Sequence, residues 1–347
     1  MPEQPTGHRP TLEAVAARAG VSRATVSRVV NGGAGVRQLV ADKVREAVAE
    51  LGYVPNPAAR TLVTRRTGAV AVIIAEPEVR IFSDPYFSQQ VRGISKELTA
   101  HDTQLVLLLV EGPEDYERIA RYLAGGHVDG ALAFSLHTDD PLPAIAARIG
   151  LPTVYGGRPA WTPAPGGPAG VTYVDADNRG GARLAVRHLT DTGRTRIAHI
   201  AGPDDMTSAT DRLDGYRDAL PPGCPPMVAE GDFTVEGGAR AMADLLERHP
   251  RLDAVFAASD QMAVGALRVL RERGRRVPQD VALVGFDDMR SVAECADPPL
   301  TTVHQDIEGM GRMMARLLLG ALDRDRGGIL TPTSLITPTG LVRRDSA

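Results

Sequence analysis

The sequence predicts a small all-α head joined to a larger α/β body built on parallel sheets, and three observations carry that reading. Residues 1–67 hold ten Arg or Lys against five acids, a net +5, so the rest of a chain whose total is -4 carries -9. Residues 11–51 space their apolar side chains at helical intervals. From Gly68 onward, short continuous apolar runs alternate with helical stretches, as parallel strands covered on both faces do. At 347 residues the chain exceeds one ordinary core, so two or three domains are expected.

Composition narrows the function classes. A hydrophobic content of 43% fits a globular protein. No apolar run approaches the roughly 18 residues that span a bilayer, so no membrane partner is expected. The opening "MPEQPTGHRP" lacks a signal peptide's apolar core, and a cytoplasmic location is expected. The cysteines, Cys224 and Cys295, have no CxxC or Cys/His spacing. They are expected to be inert thiols, with no disulfide, metal or cofactor role. A basic head on an acidic body suits a module that meets phosphates while the body keeps the chain soluble.

Within the head, Thr11 can cap a helix whose apolar positions are Leu12, Val15, Ala16 and Ala19. Gly20 permits a tight turn, and Ser22 can cap a second helix running to about Val30. Val26, Val29 and Val30 form that helix's buried side, with Val21 closing the turn, while Arg23, Ala24, Ser27, Arg28 and Asn31 face outward. A third helix over about 38–51 carries Val40, Val44, Ala47, Val48 and Leu51 on one stripe. This is a helix-turn-helix unit. Its valines close a core, and its outward donors suit the major groove.

The stretches "TLEAVAARAGVSRATVSRVVNG" and "KVREAVAELGYVPNPAARTL" resemble the DNA-binding head and hinge of the LacI/GalR family of bacterial transcriptional regulators. The resemblance places base specificity at Arg23 and Ala24, and base or phosphate contacts at Thr25, Ser27, Arg28 and Asn31. Thr11, Ser22, Arg37, Tyr53, Asn56 and Ala59 complete the expected DNA-facing set. Arginine pairs bidentately with guanine whereas alanine offers an apolar face, so a half-site containing G·C pairs is expected. The family usually has Ser at Arg37 and Thr at Val40; here the charge of Arg37 would meet a phosphate instead. In the hinge, residues 58–63 give barely two turns, far short of the roughly 12–15 residues an isolated helix needs. The resemblance implies that it folds when two copies pack in the minor groove, with Leu62 wedged between base pairs.

Strands are expected at 69–75, 104–110, 129–135, 152–156, 171–177, 196–202, 253–259 and 280–288, and the Pro- and Gly-rich residues 158–170 divide the body in two. The expected organisation is a head over 1–55, a hinge over 56–67 and a body over 68–347. The body's first lobe takes about 68–170 and 306–334, its second about 171–305 and 335–347. The resemblance implies two doubly wound lobes of periplasmic-binding-protein type, an interlobe cleft, and crossings near 168–174, 303–306 and 334.

Functional residues in such folds sit at the carboxyl ends of strands. Phe82, Asp84, Tyr86 and Phe87 follow the first strand, Ser135 ends the third, and Arg158 and Trp161 follow the fourth. Asp177 and Asn178 follow a strand in the second half of the body. Aromatic faces stack on sugar C–H surfaces, and Asp or Arg takes paired hydroxyls. By resemblance, Arg212 and Asp287 match the family's most consistent effector ligands and Phe233 a stacking ring. Ser259, Arg158, Tyr86 and Gln305 match more variable positions, and Ser259 is shorter than the amide side chain often found there.

The expected function is a transcriptional repressor that binds a palindromic DNA operator as a homodimer and is released by a sugar effector. The motif set is similar to actinobacterial regulators of oligosaccharide use, cellobiose-responsive ones among them. A nucleobase co-repressor is the alternative within the family. An enzyme is disfavoured by the lack of a GxGxxG after the first strand, a GxSxG elbow or a Walker sequence. A solute-binding protein would not need the head. Dimer contacts are expected from the helices after Phe87 and Asp115 and from the helix over 307–322.

Overall fold

The computed structural model describes residues 10–30, 35–54, 66–160, 171–323 and 333–347. The chain forms two compact units, Met1–Thr67 and Gly68–Ala347. In the first, α1 (Leu12–Ala19) opens on Thr11, whose hydroxyl accepts the Ala14 N–H at 3.3 Å. Gly20 ends it at φ +66°, a left-handed conformation that a side chain would oppose. Helix α2 (Arg23–Val30) follows Ser22, whose Oγ accepts the Thr25 N–H at 3.2 Å. Helix α3 (Gln38–Leu51) completes the core, where Val15, Val26 and Val44 are fully buried. Its buried stripe is Ala41, Val44 and Ala47, and Val40 is only half-buried, so the helix turns slightly from the expected face. Arg18 pairs with Glu50 at 2.6 Å and ties α1 to α3.

The second unit holds two six-stranded sheets. The first has the order β11-β5-β4-β3-β1-β2 and is parallel throughout. Its strands are β1 (Ala69–Ala75), β2 (Gln104–Val110), β3 (Gly130–Phe134), β4 (Thr153–Gly156), β5 (Thr172–Ala176) and β11 (Ser334–Thr337). Between β1 and β2 lie α4 (Glu78–Ser83) and α5 (Pro85–Ala100); α6 (Pro113–Ala124) and α7 (Leu142–Ile149) follow β2 and β3. Alternate residues of β1 serve the two faces. Val70, Val72 and Ile74 pack with Ile94 and Leu98 of α5, and Ala71 and Ile73 with Ile119 of α6 and Leu142 of α7. Both faces are therefore dry, which is why the strand reads as unbroken apolar sequence.

The second sheet has the order β12-β10-β9-β8-β6-β7. It comprises β6 (Ile197–Ala201), β7 (Met227–Glu230), β8 (Ala254–Ala257), β9 (Ala282–Asp287), β10 (Thr301–His304) and β12 (Gly340–Val342), the last antiparallel to β10. Helices α8 (Asn178–Asp191) and α9 (Thr207–Ala219) cover one face, α10 (Val235–Arg248) and α11 (Asp260–Glu272) the other. The short α12 (Arg290–Ala293) follows β9, and α13 (Ile307–Asp323) returns to the first lobe.

Two expectations are corrected here. Strand β5, assigned by sequence to the second lobe, pairs with β4 and β11 in the first, because Val174 and Ala176 pack into the core that Met310 and Met314 of α13 complete. The chain thus crosses between lobes at about 177, 305 and 338; the second lies inside the expected 303–306, while the first and third fall a few residues past the expected 168–174 and 334. Strands β7, β10, β11 and β12 were not anticipated; the first three carry polar residues such as Glu230, His304 and Ser334 and the last has three residues, so none presents a continuous apolar run. Helix α13 buries Ile307, Met310, Met314 and Leu318 in the core of the first lobe.

Helices α5 and α13 cross at Gly93, where a Cβ would stand 2.0 Å from the Glu308 carbonyl oxygen. Gly93→Ala is expected to destabilise by about 1–3 kcal/mol through overpacking. Gly320→Ala, on the same α13 with nothing within 4 Å of the new methyl, is expected to stabilise slightly. Urea unfolding of both variants checks the contrast.

Candidate functional site

The head's outward surface is set by α2. Arg23, Ala24 and Arg28 are exposed, and Thr25 and Ser27 are half-buried. The Ser22 and Thr25 hydroxyls lie 2.9 Å apart and Ser22 caps the helix, so both hydroxyls are partly occupied locally. Arg23 Nε stands 3.2 Å from Glu13 on α1, an exposed pair that a phosphate or base edge can displace cheaply. Arg37 precedes α3 without a side-chain cap bond and is exposed. Tyr53 packs partly buried on the head core. Asn31, Asn56, Ala59 and Leu62, together with most of the 56–67 hinge, lie outside the described residues, as does Trp161.

In the body, residues at or just past the carboxyl ends of β3, β4, β7, β8 and β9 line one cavity between the lobes. Of the residues expected there, Asp84, Tyr86, Ser135, Arg158, Arg212, Phe233, Ser259, Asp287 and Gln305 line it. At its centre Arg212 is 5% exposed. Its Nε donates to Asn178 Oδ1 at 2.9 Å, and Nη1 donates to the Ala258 carbonyl and lies 3.6 Å from Asp287 Oδ1. The guanidinium stacks 3.7 Å over the Phe286 ring and reaches toward Phe233, 5.9 Å away. Asp287 accepts from Gln305 Nε2 at 2.6 Å. Burial raises the Asp287 pKa, outweighing the opposing charge of Arg212, and burial likewise lowers that of Arg212.

The backbone around this group is constrained. Five non-glycine residues among those described have positive φ, and three of them, Ser135 (+58°), Phe233 (+62°) and Asp287 (+109°), line the cavity. Such conformations cost about 1–3 kcal/mol each and persist only where surrounding bonds fix them. Here Asp260, fully buried on α11, accepts from Met289 N at 2.8 Å and Thr302 Oγ1 at 2.6 Å, pinning the loop that follows Asp287. Arg344 holds the next residue, Asp288, from the other side at 2.7 Å.

Three expected residues stand elsewhere. Phe82 is 73% exposed and outside the cavity, and Phe87 is buried in the first lobe, stacked on Phe134 at 6.3 Å. Asp177 leaves the strand and caps α8, accepting the Gly180 N–H at 2.8 Å, so Asp175 and Asn178 face the cavity in its place. Arg158 lines the cavity, but its guanidinium is paired with Asp211 at 2.7 Å. Ser259 caps α11.

Sequence reasoning missed Arg80, Gln90, Asp175 and Thr207. Gln90 had a signal: it shares the apolar stripe of α5 with Phe87, Ile94 and Leu98. Its Oε1 and the Arg80 Nε are buried without a hydrogen-bond partner, as groups awaiting a polar ligand are. Among the described residues no cluster of three or more His, Cys, Asp or Glu could hold a metal, both cysteines are free, and no helix is long and apolar enough to cross a membrane.

Arg212→Ala is expected to cost about 3–5 kcal/mol, since Asp287 would stay buried without its countercharge and Asn178 Oδ1 without its donor. Arg212→Lys keeps the charge without the Nε bond and should recover part of that loss; chemical denaturation of the two variants checks the order.

Residues 11–56 match the model for bacterial regulatory proteins of the lacI family, and residues 186–347 match a periplasmic binding protein-like domain. The chain is 51% identical over 342 residues to the HTH-type transcriptional regulator CelR of Thermobifida fusca, covering 97% of this chain and 98% of the relative. Among solved structures, a transcriptional regulator CelR–cellobiose complex is 48% identical with a TM-score of 0.76, covering 98% of this chain and 100% of its own. The lac repressor dimer bound to operator and the anti-inducer ONPF is 29% identical with a TM-score of 0.80, covering 97% and 98%.

Proposed function

The chain belongs to the lacI family of bacterial regulatory proteins, and from that premise we propose that it is a cytoplasmic, non-enzymatic repressor that a β-linked disaccharide, cellobiose first among candidates, releases from DNA. The observation that carries this reading is the joint placement of Arg212, Asp287 and the Phe233 ring along one cavity. A planar cation and a carboxylate can take vicinal hydroxyls in pairs, and the ring offers a face to the sugar's C–H surface. The likeness to a cellobiose complex supports the choice of sugar.

On the DNA side, Arg23 and Arg28 stand exposed on α2, where they would contact base edges and phosphates in the major groove. Two copies related by a twofold axis would read a palindrome. A ligand that binds one interlobe arrangement better than the other shifts the equilibrium by its differential affinity, and about 1–3 kcal/mol of coupling changes operator affinity 5- to 150-fold. The hinge is the element such a shift would act on, because a helix of two turns is marginal on its own.

Arg23→Ala is expected to weaken binding to a G·C-containing palindrome by about 1–3 kcal/mol while leaving an A·T-only palindrome nearly unaffected. Gel shifts at one fixed salt concentration read this, and equal losses on both DNAs count against base readout. Leu62→Ala is expected to lower operator affinity without changing sugar affinity, as calorimetry with cellobiose can show. Titrating cellobiose, glucose and a purine base into the protein–operator complex tests the effector. Release by cellobiose supports the proposal, and tighter DNA binding with the purine overturns it.

A further inference from the structure

Around the cavity mouth the lobes are joined by direct polar bonds that involve no ligand atom. Arg158, past β4 in the first lobe, places Nη2 2.7 Å from Oδ1 and 2.8 Å from Oδ2 of Asp211 on α9 in the second. Its carbonyl accepts the hydroxyl of Thr207, also on α9. A second connection runs from the loop after β3 to the loop after β6. His137 Nδ1 lies 2.7 Å from Asp205 Oδ2, and Thr138 donates to the Asp205 carbonyl through its N–H at 2.9 Å and its hydroxyl at 2.8 Å. The other nitrogen of His137 faces Glu76 Oε1 at 3.7 Å. An imidazole with a carboxylate at each nitrogen is satisfied as a donor on both sides only when protonated. His137, Asp205 and Asp211 lie outside the cavity lining, although Asp211 holds the lining residue Arg158.

We propose that His137 and Arg158 form a two-point latch across the cleft, whose engagement sets effector affinity and, through His137, makes that affinity fall as pH rises. The inference rests on the reading of the cavity as the effector site. The charged groups around His137 are Glu76 at the end of β1, Asp140 in its own loop, Asp205 from the second lobe, and Arg80 of α4, which pairs with Glu76. Glu76 first, then Asp205, raises the His137 pKa to about 9 against the lowering effect of burial. Parting the lobes removes the raising effect of Asp205 but leaves that of Glu76. The bond to Asp205 therefore favours closure fully below the open-state value, and its contribution is lost as pH rises through about 9. Because His137 is half-exposed, solvent screening reduces the effect. The hydrogen bond to Asp211 raises the Arg158 pKa further, so its guanidinium stays charged throughout this range.

The test measures cellobiose affinity of the full-length protein by calorimetry at pH 7 and pH 9. Wild type is expected to lose about threefold over that interval, while His137→Gln and Asp205→Asn lose affinity at pH 7 and show no further dependence. Asp211→Asn is expected to weaken binding about fivefold at both pH values, as loss of one bidentate contact does, with the pH slope intact. A flat wild-type profile, or a slope retained in His137→Gln, overturns the latch. A second measurement needs no ligand. Spin labels at Glu117→Cys on α6 and Arg268→Cys on α11, with Cys224 and Cys295 replaced by Ser and the labelled protein diluted with unlabelled, report the interlobe distance. Longer or broader distances on adding His137→Gln or Asp211→Asn support the latch, and unchanged distances overturn it. If the distances respond while cellobiose fails to bind wild type, the effector reading fails and the latch stands.

Discussion

Arg212 is held in the least favourable place for a guanidinium, between two lobes and 5% exposed, and the surrounding residues are arranged to make that tolerable. A buried cation without partners costs several kcal/mol, so it needs them close by. Asn178 at the start of α8 and the Ala258 carbonyl after β8 accept hydrogen bonds, Asp287 at the end of β9 supplies the opposite charge, and Phe286 lends its ring face. Three secondary elements are thereby brought to one point. The same arrangement leaves donors and a carboxylate facing the cavity, which is the chemistry a polyhydroxylated ligand needs.

The strain around Arg212 has the same origin. Turning Asp287 toward the guanidinium requires φ +109°, and aiming Phe233 into the cavity requires +62°. Neither conformation would survive on a free loop. Asp260 bonded to Met289 and Thr302, and Arg344 bonded to Asp288, hold the first of them from both sides. Rigidity in the second lobe contrasts with the junction between lobes, which is made of side-chain pairs such as Arg158–Asp211 and His137–Asp205. Such pairs are part-exposed and individually weak, so the cleft can open without unfolding either lobe. A rigid site beside a weak seam lets a small ligand bias two arrangements of large bodies.

The head obeys a different constraint. Three short helices around Val15, Val26 and Val44 have little apolar area, so caps at Thr11 and Ser22 and the Arg18–Glu50 pair matter proportionately more. This economy leaves the outward side of α2 free of structural duty at Arg23, Ala24 and Arg28, and a surface free of structural duty can be specialised for readout.

Sequence determined what depends on local spacing. Helical periodicity and capping residues identified α1 to α3, and eight apolar runs identified the longer strands, because a strand buried on both faces must be apolar at every position. Arg212, Asp287 and Phe233 were named through the resemblance to the LacI/GalR family, and all three line the cavity. Tertiary structure alone decided the rest. Strand β5 belongs to the first lobe because its neighbours β4 and β11 and the core beneath them lie there, and β11 arrives from more than 150 residues away. Asp177 gave way to Asp175 through a turn of the chain that no composition encodes, and Phe87 went to the core because α5 has to bury one face. Arg80, Gln90 and the partners of His137 and Arg158 were invisible for the same reason: which side chains meet across a cleft depends on how two separately folded lobes are set against each other, and that is not a property of any local segment.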